Sequence, residues 1–414
     1  MAKRYARIPV ILITSLFFLW GLANNMTDTL LAAFKKIMTM TDAQTSLIQM
    51  AFYGAYFVLA LPAALYIRQF SYKSGILLGL GLFILGALLF YPASQTMVYG
   101  HFLVALFVLA GGLSVLETSA NPFILSLGAP ETATRRLNLA QSFNPIGSIT
   151  GVVLSKYVIL SALHQAGDAE RIQMEHSALV EIQRAELSAV MKAYVGLAVL
   201  LIVVWMLIKV VRMPQDTDTD RSDVWAVFRR LGKNRNYVFG VVAQFFYVGA
   251  QIGVWSFTIR YVMQELQMNE ETASNYYILS LVLFMIFRFI ATGLMRYIKA
   301  TRLLVVLSII ATLLCLVVCF AGGQTGVYAL VAISACMSLM FPTIYGLASE
   351  GLQEDRKIGG SGLIMAILGG AVLTYIQGMV SDKWNDINMS FLIPMLCFIV
   401  VASYGLFREA KKAV

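Results

Sequence analysis

The sequence predicts an all-α membrane protein in which twelve transmembrane helices form two sets of six. Apolar residues make up 59% of the 414 residues and charged residues only 13%, against about 25% in soluble domains. A helix that crosses the hydrocarbon core needs roughly 20 mostly apolar residues. Twelve segments meet this requirement, and they are too long and too uniformly apolar to be barrel strands. They lie near 8–33, 44–66, 74–92, 98–127, 138–163, 191–211, 237–263, 273–296, 302–321, 326–349, 358–380 and 388–407.

Two polar stretches interrupt the series of spans. The stretch at 212–236 is acidic at first and then mixes apolar with basic residues, a pattern typical of a short helix at the membrane surface. We therefore predict an N-terminal six-helix half at 1–211, a cytoplasmic linker with an interfacial helix at 212–236, and a C-terminal six-helix half at 237–414. The other stretch, 164–190, is rich in Glu, Gln and Ala, a composition compatible with a helix.

Basic residues orient the predicted spans. If both chain ends lie on one side of the membrane, that side holds most of the 31 Lys and Arg residues. Cytoplasmic loops carry such an excess, so we expect both termini in the cytoplasm. The net charge of +9 then follows from the topology, and we expect no binding to nucleic acid.

Asp28 and Glu117 are the only acids of the 22 that fall deep inside apolar spans. A carboxylate in hydrocarbon is costly, so it usually faces the bundle interior or a wet cavity and serves a path for ions or substrate. Burial also favours the protonated form of a carboxyl group, which suits a group that binds and releases a proton. We predict that both acids take part in proton coupling. The alternative is a neutral acid that is hydrogen-bonded between helices.

The first span places an aromatic ring beside amides and an acid. Asn24 and Asn25 lie four and three residues before Asp28, and Trp20 lies one turn before Asn24, so these side chains share one face. A sugar can stack its C–H face on such a ring and share its hydroxyls with amides and a carboxylate. We predict a sugar site here, and the alternative is a polar clamp between helices.

The fourth and fifth spans add further amides. Asn121 follows Glu117 by one turn, and the adjacent Pro122 removes a backbone hydrogen bond, as in segments that line a ligand path. Gln141 and Asn144 are three residues apart in the fifth span and face roughly one way. Neutral amides both donate and accept hydrogen bonds, which suits an uncharged polyol.

The second half offers fewer polar residues. Phe284 and Phe341 are candidates for the sugar site, although aromatic stripes are as often packing. Arg288 is a cation in the middle of a span, where it can pair with a carboxylate or hold a backbone carbonyl. We take it as a structural or ion-pair candidate. The seventh span carries a stripe of Gln244, Tyr247, Gln251 and Trp255, from which we select Gln251 as a further sugar ligand.

Other functional classes fit the sequence less well. A membrane enzyme needs a nucleophile with a base, or a metal cluster, but the three histidines are scattered and no GxSxG, HExxH or phosphate-loop motif occurs. The four cysteines are typical of small buried apolar residues. A channel would show repeated selectivity loops or charged rings. We therefore expect no enzymatic activity, no cofactor and no metal.

Seven ordered motifs resemble the fucose–proton symporter family of the major facilitator superfamily over nearly the whole chain. They are SLFFLWGLANNMTD, LIQMAFYGAYF, LETSANPF, RLNLAQSFN, AQFFYVGAQ, FRFIATG and FPTIYGLA. The resemblance implies the major facilitator fold, which alternates between outward-open and inward-open states. It implies that Asp28 and Glu117 match the family's two membrane acids. It also implies that the sugar site is lined by Asn25, Gln141, Asn144 and Phe284.

From the resemblance we expect a proton-coupled symporter that imports L-fucose or a related hexose or deoxyhexose across a bacterial cytoplasmic membrane. Its partners would be the sugar, the proton and the lipid bilayer, and by analogy it would be a monomer. Phe341 stands where the fucose carrier has a tyrosine, so one hydroxyl contact is missing. Two alternatives stay open: a sodium-coupled or uncoupled hexose or amino-sugar carrier, and a membrane sugar sensor that does not transport.

Overall fold

A computed structural model of the chain describes residues 7–37, 42–158, 174–214, 223–384 and 386–411. Within these ranges the chain forms helices and turns and contains no strand. Short 3₁₀ segments lie at Pro130–Thr132, Gln353–Asp355, Ala366–Leu368 and Met389–Phe391. The α-helices are α1 (Arg7–Ile37), α2 (Asp42–Gln69), α3 (Tyr72–Thr96), α4 (Tyr99–Ser126), α5 (Ala133–Gln141), α6 (Phe143–Val158), α7 (His176–Val210), α8 (Val224–Lys233), α9 (Arg235–Leu266), α10 (Glu270–Leu294), α11 (Ala300–Phe320), α12 (Gly323–Met337), α13 (Met340–Ala348), α14 (Arg356–Met365), α15 (Gly369–Trp384) and α16 (Leu392–Lys411).

The helices follow the predicted spans closely. In the described part of the chain, 11 helical segments are long and apolar enough to cross a membrane, and each matches a predicted span. The remaining predicted span, the fifth, is divided between α5 and α6, which have 9 and 16 residues and are too short to cross alone. The end of that predicted span, 159–163, lies outside the described residues.

Part of the second polar stretch is helical. Helix α7 begins at His176, well before the predicted start of the sixth span near 191. Residues 176–190 are rich in Ala, Glu and Gln, which favour helix, and Gln183 donates a hydrogen bond to the carbonyl of Ile37 at 2.6 Å. Residues 164–173 of the stretch lie outside the described residues.

A short helix, α8, lies between the sixth and seventh predicted spans, within the stretch that the sequence predicts as a linker. Val227 and Leu231 are buried in the protein, whereas Trp225 on the same helix is 78% exposed. Arg230 donates two hydrogen bonds to the carboxylate of Asp355, at 2.9 and 2.6 Å. The apolar residues of α8 therefore divide into a face held by the protein and an outward face. The location of α8 at a membrane surface stays a prediction.

Two spans are each divided into two helices near a proline. Proline has no N–H, so it cannot bond the carbonyl four residues earlier. Pro145 leaves the carbonyl of Gln141 without a helical partner, and α5 ends there with a turn at Ser142. Pro342 does the same for Ser338, which separates α12 from α13. The two broken spans thus expose backbone carbonyls that need other donors.

The helices form two compact units that do not follow the order of the chain. The first unit comprises Met1–Ala120 and Phe143–Thr217, and the second comprises Asn121–Ser142 and Asp218–Val414. In the second unit, α5 packs against α13. The predicted division into an N-terminal half, a linker and a C-terminal half concerns repeated sequence, which compactness does not test, so it stays a prediction.

Glycines let α1 and α6 meet backbone to backbone in the first unit. A Cβ at Gly147 would lie 1.9 Å from the carbonyl oxygen of Phe18, and a Cβ at Gly21 would lie 2.0 Å from the carbonyl oxygen of Asn144. No side chain fits at these distances. The approach of the two helices therefore requires glycine at both positions, as small residues at helix contacts in membranes commonly provide.

Gly147→Ala is expected to push α1 away from α6 and to lower the free energy of unfolding by about 1–3 kcal/mol, the usual cost of overpacking. Gly54→Ala is the matched control, because its Cβ would meet nothing within 4 Å. Thermal unfolding can be followed with a thiol-reactive dye, since all four cysteines are free and buried. Equal unfolding midpoints for the two variants would contradict this packing.

Candidate functional site

Glu117 is enclosed by protein in the membrane-spanning helix α4. Its side chain is 1% exposed. The hydroxyl of Tyr56, on α2, donates a hydrogen bond to carboxyl oxygen Oε1 at 2.9 Å. The other oxygen, Oε2, is buried and has no hydrogen-bond partner among the residues that the structure describes. Helix α4 therefore presents a half-satisfied carboxyl group, which can take a proton or accept a hydrogen bond from a ligand.

The polar residues predicted on the first span lie on α1. Trp20 interacts with the hydroxyl of Tyr56, so its ring lies close to the group that holds Glu117. The Oδ1 atom of Asn24 is buried without a hydrogen-bond partner in the described part of the chain. Asn25 instead donates a hydrogen bond to the carbonyl of Gly21, one turn earlier, at 3.1 Å.

Of two further candidates in the first unit, the structure describes the side chain of one and not that of the other. Asp28 lies in α1, one turn beyond Asn24, but its side chain lies outside the described residues, so its role stays a prediction. Asn144, on α6, donates a hydrogen bond to the carbonyl of Phe17 on α1 at 3.2 Å. This amide holds two helices together, which leaves its oxygen as the atom to offer a ligand.

Gln141 and Asn121 form a buried amide pair in the second unit. The Nε2 atom of Gln141 donates a hydrogen bond to Oδ1 of Asn121 at 3.0 Å. The Nδ2 atom of Asn121 is buried and has no hydrogen-bond partner within the described ranges. The pair therefore offers an open N–H donor, which fits a hydroxyl oxygen of an uncharged ligand.

Arg288 binds the two carbonyls that the prolines leave free. Its side chain is 3% exposed. The Nη1 atom donates a hydrogen bond to the carbonyl of Gln141 at 3.1 Å, and Nε donates to the carbonyl of Ser338 at 2.5 Å. Of the two roles that the sequence left open for Arg288, the described contacts support the backbone role. The guanidinium thus joins α10 to both broken spans.

Aromatic residues continue this group of side chains in the second unit. The guanidinium of Arg288 lies 4.6 Å from the ring centroid of Phe284. The rings of Phe284 and Trp255 meet edge to face at 5.0 Å. Phe341 adjoins this group through Tyr247: the two rings lie 6.4 Å apart, and Tyr247 interacts with Arg288. Hydrogen bonds and ring contacts therefore connect Asn121, Gln141, Arg288, Phe284 and Trp255.

The two amides of the stripe on α9 lie in different surroundings. Gln251, the selected sugar ligand, is half-buried, and its role stays a prediction. Gln244, two turns earlier, is fully buried, and neither atom of its amide has a hydrogen-bond partner among the described residues. Gln244 is thus a further candidate, which the sequence did not select. Both belong to the same predicted stripe, and only burial distinguishes the two.

Tyr56 is the residue that sequence reasoning missed. It lies in the motif LIQMAFYGAYF, whose amide, Gln49, is two turns away from it. Its importance comes from a contact with Glu117, which is 61 residues away in sequence. A tyrosine in an apolar span gave no signal that would have distinguished it from a packing residue.

Comparison with known proteins places the chain in a family. Residues 13–366 match the Major Facilitator Superfamily. An L-fucose-proton symporter of Haemophilus influenzae is 41% identical, with 98% of this chain and 97% of the relative covered. A glucose/galactose transporter of Brucella abortus is 34% identical, with 95% and 92% covered.

A crystal structure of a major facilitator transporter, FucP, in the outward conformation has the same fold. It is 40% identical to this chain, the TM-score is 0.92, and the match covers 98% of this chain and 99% of the other. This likeness confirms the predicted twelve-helix fold class and the resemblance drawn from the seven motifs. The protein is a multi-pass membrane transporter rather than an enzyme. The chain belongs to the major facilitator superfamily and, within it, to the family of the L-fucose–proton symporters.

Proposed function

We propose that this protein carries L-fucose, or a closely related hexose or deoxyhexose, into the cell together with a proton. The observation that carries the proposal is the buried carboxyl group of Glu117 in a chain 41% identical to an L-fucose-proton symporter. An ionisable group inside a membrane helix is a functional candidate by default. Glu117 has one oxygen held by Tyr56 and one oxygen open, as a site of reversible protonation requires.

Proton binding would couple to sugar movement through the charge of the acids. A carboxylate that passes through a closed, dry state of the carrier carries a large desolvation cost. Protonation of Glu117, and of Asp28 where the sequence predicts a second acid, removes that charge. The loaded carrier can then change state, and release of the sugar inside the cell returns the proton. The inward proton gradient drives the cycle.

Sugar recognition is supported by open amide atoms and by rings in each unit. In the first unit, the buried Oδ1 of Asn24 can accept a hydrogen bond from a sugar hydroxyl, and Trp20 offers an aromatic face. In the second unit, Nδ2 of Asn121 can donate a hydrogen bond to a sugar hydroxyl, and Phe284 offers a ring. Amides satisfy hydroxyl groups in either sense, and none of these groups requires a charged ligand.

The basic residues of the loops and the family of the chain indicate which membrane holds the carrier and how it is oriented. We propose a bacterial cytoplasmic membrane with both termini in the cytoplasm, because the basic loops then lie inside. A monomer is the simplest functional unit, since the acids and amides that we assign all belong to one chain. Lipid is then the only other partner.

Uptake by proteoliposomes tests this function. With an inward proton gradient, radiolabelled L-fucose is expected to accumulate, and adding L-fucose without a gradient is expected to acidify the lumen. Sodium should have no effect. A panel of fucose, galactose, glucose, arabinose and N-acetylglucosamine identifies the sugar. Uptake that follows a sodium gradient and ignores the pH gradient would overturn proton coupling, and binding without counterflow would indicate a sensor.

A glucose or galactose carrier is the second candidate. The Brucella abortus relative is a glucose/galactose transporter, and Phe341 provides a ring without a hydroxyl at a candidate sugar contact. A specific hydrogen bond to a substrate hydroxyl can contribute a large part of the discrimination between related ligands. The same panel distinguishes the candidates, because a glucose or galactose carrier would take up these sugars in preference to fucose.

A further inference from the structure

The hydroxyl of Tyr56 is hydrogen-bonded to the carboxyl group of Glu117. Tyr56 is 2% exposed, and its hydroxyl donates to Oε1 of Glu117 at 2.9 Å. The backbone of Tyr56 is held as well, because Ser114, one turn before Glu117 on α4, donates from its hydroxyl to the carbonyl of Tyr56 at 3.1 Å. Two hydrogen bonds therefore fix α2 to α4 at the level of the acid.

The contact leaves the two carboxyl oxygens with different roles. A hydrogen bond from an O–H group favours the ionised form of a carboxyl group and fixes its orientation. Since Oε1 accepts this bond, Oε2 is left as the oxygen with no hydrogen-bond partner within the described ranges. A proton or a ligand hydroxyl would thus arrive at one defined atom.

In the described part of the chain, the neighbours of this pair include one other titratable side chain, that of Tyr53. Helix α4 packs closely on α3, where a Cβ at Gly79 would lie 2.8 Å from the backbone nitrogen of Leu116, and neither of these two residues is ionisable. On α2, Tyr53 lies one turn before Tyr56 and interacts with it. On α1, Trp20 reaches the Tyr56 hydroxyl. The side chain of Asp28, further along α1, lies outside the described residues.

We propose that Tyr56 is a positioning residue for proton coupling: its hydroxyl holds one carboxyl oxygen of Glu117, so that the other oxygen exchanges the proton. This inference rests on the proposed function, in which Glu117 takes up and releases the coupled proton.

Tyr56→Phe tests the inference, since it removes the hydroxyl and keeps the ring. Without the donor, Glu117 holds its proton more tightly. The pH at which proton-driven uptake falls off on the alkaline side is expected to move upward, because the variant loses a hydrogen bond that favours the ionised form of the carboxyl group. The maximal rate at neutral pH should fall because proton release slows, while KM for the sugar stays within about twofold, since a change of a few tenths of a kcal/mol is expected where no sugar contact is lost.

Tyr261→Phe is the matched control. Tyr261 is also fully buried, and its hydroxyl donates to a backbone carbonyl, that of Val318, at 2.9 Å. The control removes an equivalent buried hydroxyl far in sequence from the acid and is expected to leave the pH profile unchanged. A Tyr56→Phe protein with the wild-type pH profile, at any rate of uptake, would overturn the inference.

A second substitution keeps the test decisive if Tyr56→Phe does not fold. Site-specific fluorotyrosine at position 56 retains the ring and strengthens the O–H donor, so the alkaline fall should move to lower pH. No shift, or a shift in the other direction, contradicts the inference. Failure of the proposed function has a different signature: the wild-type protein would then show no sugar-driven acidification of the vesicle lumen at any pH.

Discussion

Glu117→Gln is expected to abolish uphill accumulation of the sugar while leaving exchange of labelled for unlabelled sugar in place. The amide has nearly the shape of the acid and can still accept the hydrogen bond from Tyr56, but it cannot bind and release a proton. For one proton per sugar, a gradient of one pH unit drives about tenfold accumulation in the wild type. The variant should only equilibrate the sugar.

Proteoliposomes provide the measurement. Accumulation is followed under an imposed pH gradient, and counterflow is followed without one, so that coupling and translocation are read separately. Asp28→Asn is the companion variant, because the sequence predicts Asp28 as a second coupling acid. If one variant loses accumulation and the other retains it, the first acid is the coupling site. Normal concentrative uptake by Glu117→Gln would refute a role of Glu117 in coupling.

The sequence could predict the polar groups because charge and hydrogen-bonding groups are rare in apolar spans. Glu117, Asn121 and Gln141 stood out for this reason, and the structure places them in buried surroundings with defined partners. The transmembrane helices could also be predicted from the sequence, since each span must be long and apolar to cross a membrane. Those two rules need no knowledge of which helices meet.

The partners of these groups could not be predicted, since they depend on contacts between distant parts of the chain. Tyr56 looks like any other aromatic residue until α2 packs against α4. For residues 176–190 the composition is compatible with a helix, but the sequence did not show that one helix, α7, runs from His176 through the sixth span. Its first turns are polar, and a search for apolar length cannot include them.

The role of Arg288 was partly within reach of the sequence. Pro145 and Pro342 each free the carbonyl four residues earlier, so Gln141 and Ser338 were identifiable as carbonyls in need of a donor. The sequence also placed Arg288 in mid-span and left a backbone carbonyl as one of two partners. Only the structure shows that one guanidinium satisfies both carbonyls.

Arg288→Met is expected to lower the free energy of unfolding by about 3 kcal/mol and to reduce transport strongly. Each buried carbonyl left without a donor costs about 1–3 kcal/mol, and loss of the desolvation cost of the buried cation offsets part of that. Transport should suffer because the carbonyl of Gln141 is released, and with it the amide pair that Gln141 forms with Asn121. Dye-monitored thermal unfolding and counterflow measure the two effects.

Arg260→Met is the matched control for the loss of a cation beside a ring. Arg260 lies 4.3 Å from the ring centroid of Phe257, much as Arg288 lies 4.6 Å from that of Phe284, but Arg260 is exposed at its site. We expect a loss below about 1 kcal/mol, the usual size of an exposed cation–π contact. An equal loss for both variants would mean that the carbonyl contacts of Arg288 contribute little.

Restoring a backbone donor tests the cause directly. Pro342→Ala returns an N–H group four residues after Ser338, where it can complete the helical hydrogen bond to the carbonyl that Arg288 now binds. Arg288→Met should therefore cost less in the Pro342→Ala background than in the wild type. The difference is a coupling free energy, which residues without a shared partner do not show. Additive effects would mean that the freed carbonyl of Ser338 is not the reason that a buried arginine is needed at this position.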